Sequence, residues 1–166
     1  MSDTESVKGA EFERRLRKLA RRRAVFAYPA RFATGKDGRV LVEFIDMPRL
    51  ATDGANMREA REEAIDALGS DLSIRLSRKE EIPDPSAPKR GQRLVPVPLW
   101  LAPKLALYLA MRESGTGNSE LARRMGVDER VIRRMLDPAH ATKTAKIQAA
   151  LAVLGKQMIV EVRTAA

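Results

Sequence analysis

Apolar and polar residues change rhythm twice along this chain, and each change marks a new kind of element. From Val25 to Thr52 the rhythm is two. Phe26, Tyr28, Ala30 and Phe32 share one side of an extended segment, and Val40, Val42 and Phe44 share one side of the next. Such alternation is the pattern of strands with one buried face. Gly35-Lys36-Asp37-Gly38 between them is a strong turn signal, so the two form a hairpin. A third, shorter strand is expected over Leu50 to Thr52.

The rhythm then lengthens to nearly four. Ala60, Ala64, Leu68 and Leu72 recur on one helical face, joined by Ile65 and Leu76. Asn56 is placed to cap this helix, with Glu59 in the capping-box position, and Gly69 is its weak point. Arg78 to Arg93 holds Pro83, Pro85, Pro88 and Gly91 and reads as a surface loop. Leu94 to Pro98 is apolar and extended, because each proline restricts the residue before it. The order β-β-β-α-β with a hairpin start predicts a small α+β layer.

From Trp100 onward the helical rhythm dominates. Pro103 suits a first turn, and Leu105, Leu109 and Arg112 follow on one face until Gly115-Thr116-Gly117 breaks the helix. Two short helices come next. Thr142 is the expected cap of a last helix with Ile147, Leu151 and Leu154 on its buried stripe, ended by Gly155. Gln157 to Arg163 is a short β-prone tail. Ahead of all this, Glu11 to Arg23 carries one narrow apolar stripe, Phe12, Leu16 and Leu19, in an arginine-rich extension. The chain therefore divides into a basic extension at 1–24, an α/β domain at 25–97 and a helical domain at 98–166.

Composition sharpens that division. Aromatic residues are only 4% of the chain, so the cores must be aliphatic, and the absence of cysteine excludes disulfides and thiolate metal sites. No apolar run reaches the roughly 18 residues of a membrane span, and the amino terminus has no apolar signal region. A cytoplasmic protein with no membrane partner is expected. The net charge of +9 points to a polyanion. Its placement says more. Residues 1–24 carry 8 Lys and Arg against 4 Asp and Glu, residues 25–97 carry 12 against 12, and residues 98–166 carry 11 against 6. A neutral middle beside a basic carboxy-terminal part fits two domains with different partners.

The chemistry lies in Asn118 to Leu136, NSELARRMGVDERVIRRML. A helix-turn-helix needs two short helices crossing steeply through a tight turn. Ala122 is small where the helices approach, and Gly126, four residues later, permits the positive φ of the turn. Leu121, Val127, Ile132 and Met135 are the apolar positions expected to lock the pair, and Asp128 caps the second helix. That leaves Glu129, Arg130, Arg133 and Arg134 near the exposed face, where arginine can grip guanine in a major groove. Asn118 and Ser119 open the first helix and suit a phosphate, and Thr142 and Lys143 are candidates for a further backbone contact. The bland alternative is a helical hairpin whose arginines are merely solvated. Recognition of a palindrome would call for a homodimer or higher oligomer, with the final helix and the 157–163 tail as candidate contacts.

The helical part resembles the Xre/Cro-type repressor helix-turn-helix. Taken together, YPARF…GRVLVEFIDMPRL, then AREEAIDAL, a proline-rich loop, SELARRMGV, HATK and AALAVLGK resemble, in that order, the HicB family, antitoxins of bacterial type II toxin–antitoxin pairs. The resemblance implies a partial ribonuclease H-like fold for the first domain, which would bind and block a HicA-like toxin, a small mRNA endonuclease. It implies operator binding by the second. No cofactor or metal is implied.

A ribonuclease H-like sheet invites a search for catalytic carboxylates, which such an enzyme clusters around divalent metal. The first strand has no acid, and Glu43, Asp46, Glu59 and Asp71 are dispersed, so the expectation is a protein that is not an enzyme. His140 is alone in a loop with no second ligand of its kind. Three readings stand: an autoregulatory antitoxin, a stand-alone transcriptional regulator whose α/β domain senses a small molecule, and a degenerate nuclease.

Overall fold

A computed structural model describes residues 26–160. The arginine-rich extension and the end of the 157–163 tail lie outside the described residues. Four strands, β1 (Ala27–Thr34), β2 (Val40–Phe44), β3 (Ala51–Gly54) and β4 (Gln92–Pro96), form one antiparallel sheet in the order β3-β2-β1-β4. Helix α1 (Met57–Arg78) joins β3 to β4, and α2 (Ala102–Ser114), α3 (Asn118–Met125), α4 (Glu129–Leu136) and α5 (Thr144–Val153) follow. The architecture is α+β, as the alternation predicts. Among the described residues no helix is long and apolar enough to cross a membrane.

The period-two pattern sets which side of the sheet is buried. Tyr28, Ala30, Val42 and Phe44 pack inward with Val95 against Ala60, Ala64, Leu68, Leu72 and Leu76 of α1. Leu68 and Leu72 are fully buried, and each contributes about 1.5–3 kcal/mol relative to exposure. The opposite face of the sheet carries Leu41 and Leu94, each 45% exposed. Two prolines sit in the strands without breaking the ladder. Pro29 pairs with Leu94 and Val97 N donates to Phe26 O, so the β1–β4 bonds fall on the residues flanking Pro29. Its nitrogen points instead toward β2, where the ladder is already ending and only Ile45 N donates to Pro29 O.

Asn56 caps α1 as its position predicts, its Oδ1 accepting from Arg58 N and Glu59 N at 3.1 Å each. The third strand runs two residues further than its sequence pattern, to Gly54, and β4 begins at Gln92 rather than Leu94. Pairing decides both ends: Val40 opposes Gly54, and Arg31 opposes Gln92. The proline-rich loop is mostly exposed but pinned. Ile82 is buried, Tyr28 donates to Pro83 O at 2.7 Å, and Tyr108 donates to Glu80 O at 3.2 Å.

The described residues form two apolar cores, and α2 belongs to both. Leu101, Leu105 and Tyr108 complete the sheet core, while Leu107, Ala110 and Met111 join Leu121, Ala122, Ile132, Met135, Ile147, Ala150 and Leu151 in a helical core. Arg112 lies over the Tyr108 ring at 5.7 Å, covering the edge of the first core with a cation–π contact. A cleft of about 430 Å³ opens where α1 meets the loop after α4, lined by Ser73, Ile74, Trp100 and Pro138.

Candidate nucleic-acid interface

Helices α3 and α4 are each eight residues long and are joined through Gly126, Val127 and Asp128. The chain reverses because Gly126 adopts φ of +65°, a region that costs a residue with a Cβ, and its N–H closes on Arg123 O. Val127 N then reaches Ala122 O at 3.0 Å. Asp128 starts α4 by accepting from Arg130 N at 2.8 Å. Leu121 and Ile132 are fully buried between the helices, with Ala122 and Met135 beside them. What is left outward on α4 is Glu129, Arg130, Arg133 and Arg134, with Glu129 the least exposed of the four.

Charge pairing sorts these cations. On α3, Glu120 binds both Arg123, at 2.8 Å, and Arg124, at 2.7 Å, and these hydrogen bonds hold its carboxyl down to about 2. The two arginines of α3 therefore share one carboxylate within their own helix, which leaves one net positive charge between them. On α4, Arg133 donates through Nε to Glu129 Oε1 at 2.9 Å, and Ser119 Oγ on α3 donates to Glu129 Oε2 at 2.5 Å. The Ser119 bond first, and the Arg133 bond second, keep the Glu129 carboxyl below its ordinary range. The guanidiniums of Arg130 and Arg134 and the ammonium of Lys143 have no protein partner among the described residues. Their charge is available to a polyanion.

The family of HicB-like antitoxins of bacterial toxin–antitoxin systems matches residues 27–106, which is the whole sheet, α1 and the first part of α2. Beyond that span, antitoxin HicB of Escherichia coli strain K12 is 35% identical over 131 residues, covering 79% of this chain and 95% of that protein. Antitoxin HicB 2 of Photorhabdus laumondii is 35% identical over 131 residues, 79% of this chain and 92% of that protein. Antitoxin HicB of Pseudomonas fluorescens strain Pf0-1 is 31% identical over 129 residues, 77% of this chain and 88% of that protein. The chain belongs to the HicB family of antitoxins. Membership implies a toxin partner.

Within this HicB-family chain the structure redistributes several of the residues singled out from sequence. Asn118, Ser119, Glu129, Arg130, Arg133 and Arg134 come together on α3 and α4, but Ser119 and Glu129 are bonded to each other rather than free. Asn118 is the first residue of α3, whose N-cap is Gly117. Val127 is not a locking residue: it is 36% exposed, and half-buried Val131 packs on the helical core instead. Val127 lies in the turn between α3 and α4, on neither helix, and so is outside the buried faces that meet there.

Thr142 does not cap α5. The N-cap is Lys143, with no side-chain hydrogen bond, and Thr142 Oγ1 donates to Arg134 O at 3.2 Å. That hydroxyl also accepts from Lys104, which sequence reading passed over entirely. Lys104 is 3% exposed, and its Nζ donates to Met135 O at 3.2 Å, His140 O at 2.8 Å and Thr142 Oγ1 at 3.3 Å. Burial lowers its pKa, yet its three protons meet three acceptors at the carboxy-terminal end of α4, where a cation is favoured. Residues 157–160 form no strand; Lys156 pairs with Glu113 at 2.7 Å and Met158 packs on the helical core.

The acids weighed as catalytic candidates are each placed differently. Asp46 Oδ2 accepts from Ser86 N at 2.9 Å, and Asp71 pairs with Arg75 at 2.6 Å. Glu43 faces solvent opposite Ala51, and Glu59 lies in the first turn of α1. Among the described residues no three His, Cys, Asp or Glu side chains gather as a metal-holding group.

Proposed function

We propose that this chain neutralises a HicA-like mRNA endonuclease toxin through its α/β part and represses its own operon through α3 and α4, acting as a helix-turn-helix. On this reading it works by binding alone, in the cytoplasm, as a homodimer or higher oligomer. The toxin half of the reading is supported by the family match, which covers the sheet and α1. The operator half is carried by one observation: among the described residues Arg130 and Arg134 have no partner on the outer face of a capped second helix, whereas the arginines of α3 and Arg133 are paired.

The experiment looks for a gene for a small basic protein beside this one, co-expresses the two products, and asks whether they co-purify and whether any mRNA cleavage by the neighbour is blocked; absence of such a gene counts against the antitoxin reading. Failure of both ends the antitoxin reading. For the operator half, Arg130→Ala and Arg134→Ala should each weaken binding to the DNA upstream of the gene by about 1–3 kcal/mol while toxin inhibition persists. Loss of both activities in folded variants would contradict a division of labour between the two parts. Lys143→Ala should weaken all duplexes evenly and lower the salt slope by about 1, the signature of a phosphate contact.

A further inference from the structure

Glu129 is an odd residue to find at the front of a helix proposed to enter a groove lined with phosphates. Its carboxylate stays ionised and would repel the backbone unless something offsets it. Both of its oxygens are already occupied. Oε2 accepts from Ser119 Oγ at 2.5 Å, across the junction between α3 and α4, and Oε1 accepts from Arg133 Nε at 2.9 Å and from Arg133 Nη2. The carboxylate is thus tied to one helix by its first oxygen and holds the arginine of the next turn with its second.

The consequence concerns which edge of Arg133 is left. A guanidinium has five N–H groups in a planar fork. The Nε and Nη2 side faces Glu129, so the Nη1 and outer Nη2 hydrogens remain, parallel and directed away from it. That pair matches the O6 and N7 acceptors of guanine in the major groove. An exposed arginine normally has to give up side-chain freedom to make such a contact. Here the carboxylate one turn earlier has already restricted it, and Ser119 has restricted the carboxylate.

The geometry points to a relay in which Ser119 holds Glu129 and Glu129 holds Arg133, so that Arg133 reads a guanine with its free edge and Glu129 itself reads no base. This rests on the DNA-binding reading above and adds to it. Arg130 and Arg134 supply uncompensated charge, whereas Arg133 supplies sequence discrimination. Glu129 is a positioning residue in this scheme, Arg133 the specificity residue.

Selection of bound sequences from a random duplex pool tests it, run with the full chain as wild type, Glu129→Gln, Ser119→Ala, Arg133→Ala and the Glu129→Gln/Arg133→Ala double variant. Affinities for the selected site and for a scrambled duplex are measured alongside, and thermal melting checks that each variant is folded. The expected wild-type motif contains a guanine that Arg133→Ala no longer selects. Glu129→Gln should blur the same guanine and lower the ratio of selected to scrambled affinity about tenfold, the size of one bidentate base contact. Ser119→Ala should move in the same direction by less, and the double variant should be no worse than Arg133→Ala alone, because the residues act in series. Two results overturn the relay. One is a Glu129→Gln motif identical to wild type. The other is loss of a cytosine at a position Arg133→Ala leaves untouched, which would make Glu129 a base reader. A wild-type protein that enriches no sequence overturns the underlying DNA-binding reading, and a protein that selects a motif while failing the variant tests overturns only the relay.

Discussion

Lys104 illustrates how a residue's role depends on what the fold brings to it. In sequence it is one lysine in a helix among alanines and leucines, and solvation is the ordinary expectation. In space its ammonium ends among two carbonyls and a hydroxyl belonging to residues 31 to 38 positions away. Replacing it by Met keeps the length of the side chain but strands buried acceptors at the end of α4, so Lys104→Met should lower stability by about 1–3 kcal/mol in denaturant unfolding. Tyr28 offers a pH test at the same scale. Burial first, then the nearby Asp84 and Asp46 carboxylates, push its hydroxyl up to about 12. The protonated form is the one the folded state favours, so the stabilisation is whole below the ordinary tyrosine pKa of 10.0 and is lost as pH rises from there toward about 12. Ultraviolet titration should show one tyrosine ionising late, together with unfolding, and Tyr28→Phe should remove that component. The Ser119–Glu129 bond was likewise invisible in the sequence, since it joins residues 10 apart on different helices.

At the level of elements, most of the sequence was readable, because local pattern and tertiary need agree. The strands of the hairpin, the capped start of α1, the turn at Gly126 and the cap at Asp128 each follow from a residue type whose chemistry is short-range. Boundaries set by partners were less readable: β3 runs to Gly54 because Val40 opposes it, and β4 begins at Gln92 because Arg31 opposes it, which no single segment encodes. Gly69 shows the limit in another way. As a lone glycine in a 22-residue helix it looks like a weakness, costing roughly 1 kcal/mol against alanine. Its reason lies across space, because a Cβ there would stand 2.8 Å from Pro98 Cγ and 3.4 Å from Trp100 Cζ2. A proline ring is not a flexible neighbour, and overpacking costs about 1–3 kcal/mol. Gly69→Ala should therefore give no net gain and a loss of up to about 2 kcal/mol, read as a lower Tm, despite the better helix former.

For the whole molecule the decisive feature is α2, with Leu105 and Tyr108 in the sheet core and Leu107 and Met111 in the helical core. Sequence reading divides the chain just before this helix, where proline and a change of rhythm suggest a joint. Its opposite faces nonetheless serve opposite cores, a property that periodicity hints at only as a helix apolar on more than one side. Tyr108 to Glu80 and Arg112 over Tyr108 add polar ties on the sheet side. Helix α2 cannot unravel without opening both cores, so differential scanning calorimetry should record one transition; two resolved transitions would show that the cores melt separately.

The same shared helix makes the two ends answerable to one another through mass action. A duplex that binds only the folded form lowers the population of every opening that includes α2. If α4 binds DNA as proposed, amide hydrogens far from any phosphate should feel it: Val42 and Val95, deep in the sheet, should exchange with heavy water more slowly in the presence of the duplex. Unchanged exchange at those amides, with DNA demonstrably bound, would mean that the sheet opens without the helices. Slowed exchange would mean that DNA on the proposed operator face steadies the sheet proposed to hold the toxin.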